Sequence, residues 1–149
     1  MISLEWLQNN WLNAADAIGN IIVEQQNADY EGQIFTVNNQ TFRSRLAKKT
    51  PKKQGYFVVF WEKDAENKNQ AYAFSEAPDQ LLVLIDDHEK QGLFIFPKSV
   101  LLTQGILSTE TSKGKMGMRV YPTWETELNR SAERTQKWQA LYFTDYSNQ

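Results

Sequence analysis

Apolar and polar positions repeat along this chain with two different periods. Leu4, Leu7, Trp11, Ala15, Ile18 and Ile22 recur at steps of three and four, which predicts one amphipathic helix. Ser3 is placed to cap it, Glu5 lies in its first turn where a carboxylate suits the dipole, and Gly19 marks a break or cap. From Gln33 the period shortens to two. Residues 33–37 and 40–46 flank Asn38-Asn39, and Asn tolerates positive φ, so a hairpin is predicted. Phe42, Ser44 and Leu46 alternate with Thr41, Arg43 and Arg45. The two arginines therefore share one face, opposite the apolar one.

Residues 48–54 form a basic turn around Pro51, and residues 56–61 are apolar on both faces, the pattern of a central strand covered on both sides. After a polar loop, residues 70–74 alternate weakly and residues 76–79 read as a turn. Strands at 81–85 and 92–96 enclose the acidic loop Asp86-Asp87-His88-Glu89. A short helical turn is predicted at 99–103, with Ser99 as cap and Gly105 as stop. A loop at 109–117 precedes a strand at 118–121. A second helix is expected over 128–146, capped by Asn129 or Ser131, with Leu128, Ala132, Thr135, Trp138, Leu141 and Tyr142 on one face. The predicted class is α+β: one domain over residues 1–149, with a mixed or antiparallel sheet of six to seven strands flanked by N- and C-terminal helices.

Composition narrows the chemistry. The 149 residues include no cysteine and one histidine, His88. A disulfide scaffold, a thiolate metal site, a cysteine nucleophile and a paired-histidine mechanism are excluded. No signal peptide or apolar run of membrane-spanning length is visible, so a cytoplasmic protein is expected. The net charge is −2, which on average argues against an anionic partner, but it conceals segregation. Residues 1–42 hold five acids and no Lys or Arg, and residues 54–97 hold eight acids and three lysines. Between them Arg43, Arg45, Lys48, Lys49, Lys52 and Lys53 give +6 in eleven residues. Such a block repels itself unless it is solvated or meets an anion.

Catalytic motifs are absent. Neither phosphate-loop glycine pattern fits Lys113-Gly114-Lys115-Met116-Gly117, and no nucleophile elbow occurs. The acidic loop 86–89 offers oxygens for a hard metal, but consecutive residues rarely converge on one ion, and a solvated turn explains it better. A restriction-type nuclease needs an acid and a lysine two residues apart on a strand. Glu62 and Lys63 are adjacent, and Phe96 stands where an acid should precede Lys98. No metal site, cofactor or catalytic set is assigned. Aromatics do lie among the cations: Tyr56 and Trp61 follow the basic turn, and Tyr121 and Trp124 flank Arg119 and Pro122. Cations neutralise phosphates and aromatic faces stack bases. Trp138 and Phe57 sit where core is expected, whereas no core role suits Arg43, Arg45, Lys52, Lys53, Lys115 or Arg119.

Several long segments together resemble the MepB family. They are Phe42-Arg43 with residues 47–58 (AKKTPKKQGYFV), residues 92–101 (GLFIFPKSVL), residues 105–108, residues 117–122 (GMRVYP) and residues 135–139 (TQKWQ). The resemblance implies a small cytosolic α+β protein with no established reaction; the best-known member is encoded beside a multidrug efflux pump and its repressor. It also implies kinship with restriction-endonuclease-like or other nucleic-acid-binding cores. The matched cations coincide with the charge map. Arg43, Arg45, Lys48, Lys52, Lys53, Lys98, Arg119 and Lys137, with Tyr121, are the expected ligand- or phosphate-binding residues. The leading expectation is a non-enzymatic nucleic-acid- or phosphate-binding domain with a basic surface. A phosphoesterase or its inactive relic, using Asp86, Asp87 or Glu62, is the first alternative. A small-molecule or partner-binding module linked to drug response is the second.

Overall fold

A computed structural model describes residues 2–147. Its main sheet has six strands in the order β1 (Gly19–Val23), β2 (Gln33–Val37), β3 (Gln40–Leu46), β8 (Gln80–Asp87), β9 (Lys90–Pro97) and β11 (Phe143–Asp145). Only β3 and β8 run parallel; the other neighbours are antiparallel, so the sheet is mixed. A second sheet joins β4 (Lys48–Lys49), β5 (Tyr56–Val59) and β10 (Gly117–Val120), with β5 in the middle. A small hairpin pairs β6 (Trp61–Lys63) with β7 (Asn69–Ala71). The described residues include three α-helices, α1 (Ile2–Asn10), α2 (Lys98–Thr103) and α3 (Arg130–Gln139), and short 3-10 turns. The class is α+β, as the hydrophobic pattern implies.

Alternation along β3 and β8 makes two cores, one on each face of the main sheet. On one face Phe42, Leu82 and Leu84 pack with Phe35, Leu93 and, from α1, Trp6 and Leu7. On the other face Leu81, Val83, Ile85, Phe94 and Phe96 meet Tyr56, Val58 and Val120 of the second sheet and Leu101 of α2. Trp138 of α3 closes this side, 5.5 Å from Phe96. The terminal helices thus cover opposite faces of the sheet.

Three segments depart from the sequence expectation. The first helix stops at Asn10, because the N–H groups of Trp11 and Leu12 both converge on the Leu7 carbonyl and Asn10 turns its amide back to the Trp6 carbonyl. Asn side chains compete with helical backbone bonds in this way. Ile22, spaced as on a helix, belongs to β1, and Ile18 lies just before it. Ser3 lies inside α1, where its N–H and hydroxyl both bind Glu31. The second helix ends at Gln139, and residues 143–145 add an edge strand to β9. Asn129 caps it, accepting from the Ala132 N–H at 2.8 Å. The cap of α2 is Pro97, not Ser99. The Asn38-Asn39 hairpin forms as expected, with φ of 50° and 68°.

Candidate nucleic-acid interface

Arg43 and Arg45 do share one face of β3, but that face is inside the protein. Each is less than a tenth exposed. The residues before β2 fold over them and bring Glu24 and Asn27 into contact. Glu24 Oε1 accepts from Arg45 Nη1 at 2.7 Å and from Arg43 Nε at 3.1 Å. Arg45 uses its whole donor fork: Nε on the Val59 carbonyl, Nη1 on Glu24 and the Ser44 carbonyl, Nη2 on Asn27 Oδ1 and the Tyr72 hydroxyl. The expectation that no core role suits these arginines is therefore overturned. Guanidinium has five donors in a rigid plane, and a buried carboxylate with backbone carbonyls can satisfy them where a lysine ammonium could not. Burial raises the Glu24 pKa, yet the two guanidiniums outweigh it and hold the carboxyl below its usual range. The Tyr72 hydroxyl is pushed upward by burial and by Glu24.

The remaining cations divide by position. Lys48 and Lys49 form β4, and Lys52 and Lys53 stand exposed in the turn that follows. Arg119 ties this turn to β10: its Nη2 bonds both Thr50 Oγ1 and the Gln54 carbonyl. Gly55 closes the turn at φ +86°, with the Tyr121 ring and Val120 carbonyl where a Cβ would sit. Only glycine fits there without strain. Glu125 accepts the Gly55 N–H at 2.9 Å.

Sheet register sets what the outer face presents. Tyr56 and Val58 point to the core, so Phe57 and Val59 point away from it. Lys48 pairs with Phe57, and Phe57 pairs with Arg119. The three side chains form one cross-strand row, an aromatic ring between two cations. Gly117, opposite Val59, leaves room for the Phe57 ring, which a Cβ there would approach to 3.1 Å. Beyond Phe57 a groove of about 300 Å³ is lined by Tyr30, Val59 and Trp61. Lys48 Nζ lies 4.8 Å from the Tyr30 ring centre and Lys63 Nζ 5.3 Å from that of Trp61. On the far side, Arg119 and Tyr121 form a common wall between two surface clefts. One, of about 370 Å³, includes Lys53 and Asn129; the other, of about 250 Å³, includes Lys115 and Trp138.

Lys98 stands apart from the turn. Lys98 lies at the opposite end of the β8–β9 hairpin from Asp87, to which Lys49 pairs at 3.5 Å. Eight strand residues separate the two ends by roughly 25 Å. The Lys98 ammonium sits 5.2 Å from the Phe74 ring. Lys137 is exposed in the last turn of α3, beside Trp138. Tyr121 is mostly buried, and its N–H is held by Gln139 Oε1.

The core assignment of Phe57 is corrected by its outward, half-buried position. Burial alternates along Tyr56–Val59, but the uniformly apolar sequence there carries no signal of it. Tyr56 is itself core: its hydroxyl donates to Asp87 at 2.6 Å. The candidate acids do not converge. Asp86 binds Gln91, Asp87 binds Tyr56 and Lys49, and Glu62, on another hairpin, binds Gln70. Among the described residues no group of three acids or histidines is arranged to hold a metal. No helix of the described residues is long and apolar enough to cross a membrane.

Mixed main sheet, flanking three-stranded sheet and a cationic, aromatic outer face together define an α+β protein with an open charged surface. The sequence pattern of the MepB-like family matches residues 24–145, and the chain belongs to that family. The crystal structure of MepB is similar at 41% identity with a TM-score of 0.87, covering 99% of this chain and 97% of that one. Among curated proteins, none matches the chain.

Proposed function

We propose that this chain is a non-enzymatic cytoplasmic protein that binds nucleic acid through phosphate contacts along the turn 48–54 and the outer face of the second sheet. The observation that carries the proposal is the row Lys48–Phe57–Arg119 beside exposed Lys52 and Lys53. Cations set across neighbouring strands can neutralise backbone phosphates, and an aromatic between them offers a base a stacking surface. The buried arginines take no part, and Lys98 and Lys137 are outside the contact surface. What discriminates this from phosphate-monoester chemistry is the scattering of Asp86, Asp87 and Glu62 over two hairpins.

Gel-shift titrations on duplex and single-stranded DNA test it. With about four phosphates neutralised, log K should fall against log salt with a slope of about −3 to −4 on duplex, and less steeply on single strands. Lys52→Glu with Lys53→Glu should weaken binding at least ten-fold and flatten that slope. Phe57→Ala should weaken single-strand binding selectively, since a stacked base contributes about 1–3 kcal/mol. No complex with either substrate at low salt overturns the proposal.

A further inference from the structure

Asn27 stands between the buried arginines and the outer groove. It is 2% exposed, yet it lines the groove of about 300 Å³ with Tyr30, Val59 and Trp61. Its backbone is satisfied: the N–H donates to the Glu24 carbonyl at 3.0 Å, and the carbonyl accepts from the Gly32 N–H at 3.1 Å. Its side-chain oxygen accepts twice, from Arg45 Nη2 at 2.7 Å and from the Trp61 N–H at 3.1 Å. Both partners are donors, so the amide cannot be turned end for end. Nδ2 therefore points away from Arg45, and it finds no acceptor among the described residues. A buried donor without a partner is destabilising, and native proteins leave few of them.

The groove's surroundings say what acceptor suits it. Its lining carries no cation and one acid, Asp29, so a phosphate is unwelcome inside. The cations stand at the two rings: Lys48 Nζ is 4.8 Å from the Tyr30 ring centre and Lys63 Nζ 5.3 Å from that of Trp61. Lys48 also pairs across the sheet with Phe57, so the groove continues the cation–aromatic row. A strand whose phosphates follow Lys48 and Lys63 brings a flat, neutral base to the half-buried Tyr30 and Trp61. Aromatic faces stack a base and cations outside hold its backbone; the fixed donor adds selection.

We propose that this groove holds one keto base of a nucleic-acid strand, thymine or guanine, whose exocyclic carbonyl oxygen accepts a hydrogen bond from Asn27 Nδ2. The inference rests on the nucleic-acid reading above and adds base selection to it. Thymine O4 and guanine O6 are acceptors where cytosine and adenine carry amino donors. An amino group there meets Nδ2 donor against donor. The O2 carbonyl, common to both pyrimidines, lies beside the glycosidic bond, where the sugar keeps it from a recessed atom. Nδ2 is closed to solvent, so the exposed Gln26 side chain and the two rings shift to admit the carbonyl, a rotamer change common at interfaces.

Fluorescence anisotropy with single-stranded oligomers of thymidine and of 5-methyl-deoxycytidine tests it. The two bases share ring size and methyl group and differ at N3 and the 4-position, so stacking and phosphate contacts are matched. At one fixed low salt, wild type should bind the thymidine oligomer at least about five-fold more tightly, the effect of one buried donor left unpaired. Asn27→Asp keeps an oxygen for Arg45 and the Trp61 N–H and turns the donor into an acceptor, so it should reverse the preference. The ratio of the two affinities is the readout, because the added charge weakens binding of both oligomers alike. If Asn27→Asp fails to fold, the wild-type comparison decides alone. Equal affinity for the two oligomers, with binding that still weakens with salt, overturns the keto-base site and leaves the phosphate surface standing. A preference unchanged in Asn27→Asp also overturns it. No complex with either oligomer overturns both readings.

Discussion

Replacing Glu24 with glutamine removes the carboxylate that bridges Arg43 and Arg45 while keeping the side chain's shape. In the native protein that carboxylate accepts the Arg45 Nη1 bond at 2.7 Å, the Arg43 Nε bond at 3.1 Å and the Tyr72 hydroxyl at 2.9 Å. A glutamine oxygen can keep one guanidinium contact. Its amide then faces the Tyr72 hydroxyl or the other guanidinium with donors against donors. Removing one partner of a buried pair costs about 3–5 kcal/mol, because the remaining charge stays desolvated. Two guanidiniums remain here, one of them fully buried, so the upper half of that range is expected. A domain of this size stores about 5–15 kcal/mol in total, and each kcal/mol moves Tm by about 2–4 °C. Glu24→Gln should therefore lower the urea midpoint by a third or more, with an unchanged slope against denaturant. The protein should still fold, and circular dichroism should report the same strand content. A loss below about 1 kcal/mol, the scale of an exposed ion pair, would refute the assignment of this cluster as a buried, load-carrying pair.

The pH dependence follows from the same residue. Glu24 is held below its usual range, so the unfolded chain binds its proton first; the contribution is complete above the ordinary glutamate value near 4.5 and is lost as pH falls through the lower folded value. Wild type should lose stability on that acid limb, and Glu24→Gln should flatten it, as measured by urea unfolding from pH 7 to pH 3. Asp87 is lowered chiefly by the Tyr56 hydroxyl bond, so Tyr56→Phe should shift its titration upward in an NMR carboxyl titration and cost about 1 kcal/mol of stability. Gln139 is fully buried and clamps the end of β10, accepting from the Tyr121 N–H and donating to the Arg119 carbonyl. Gln139→Leu leaves both backbone groups unpaired, about 1–3 kcal/mol each, and should lower Tm more than Lys137→Ala, which is exposed and should change it by less than about 2 °C. Gly55→Ala forces a side chain into positive φ against Tyr121 and should cost about 1–3 kcal/mol, read as a lower urea midpoint.

How far the sequence carried this description depends on the range over which each signal acts. The β2–β3 and β8–β9 hairpins were legible because alternation and turn residues are local: Asn38 and Asn39 adopt the positive φ their side chains tolerate, and each strand pairs with its sequence neighbour. The parallel pairing of β3 with β8 joins residues about forty positions apart, and no local pattern encodes it. The arginine face is buried by the segment around Glu24 and Asn27 that folds over it. Alternation correctly placed Arg43 and Arg45 on one face of β3, but the charge of a side chain does not say whether its face meets water. Glu24, nineteen residues upstream of Arg43, decides that, and it was legible only as part of an acidic segment. The +6 block is therefore two structures. Its two arginines are neutralised in part by the acidic quarter that precedes them, and its four lysines are the portion that faces solvent. The proposed interface therefore leaves out the two arginines of β3 that the sequence had offered as binding residues. It rests on Arg119, which reaches back sixty-nine residues to hold Thr50, and so fixes the lysine turn against the strand pair from which Phe57 points outward.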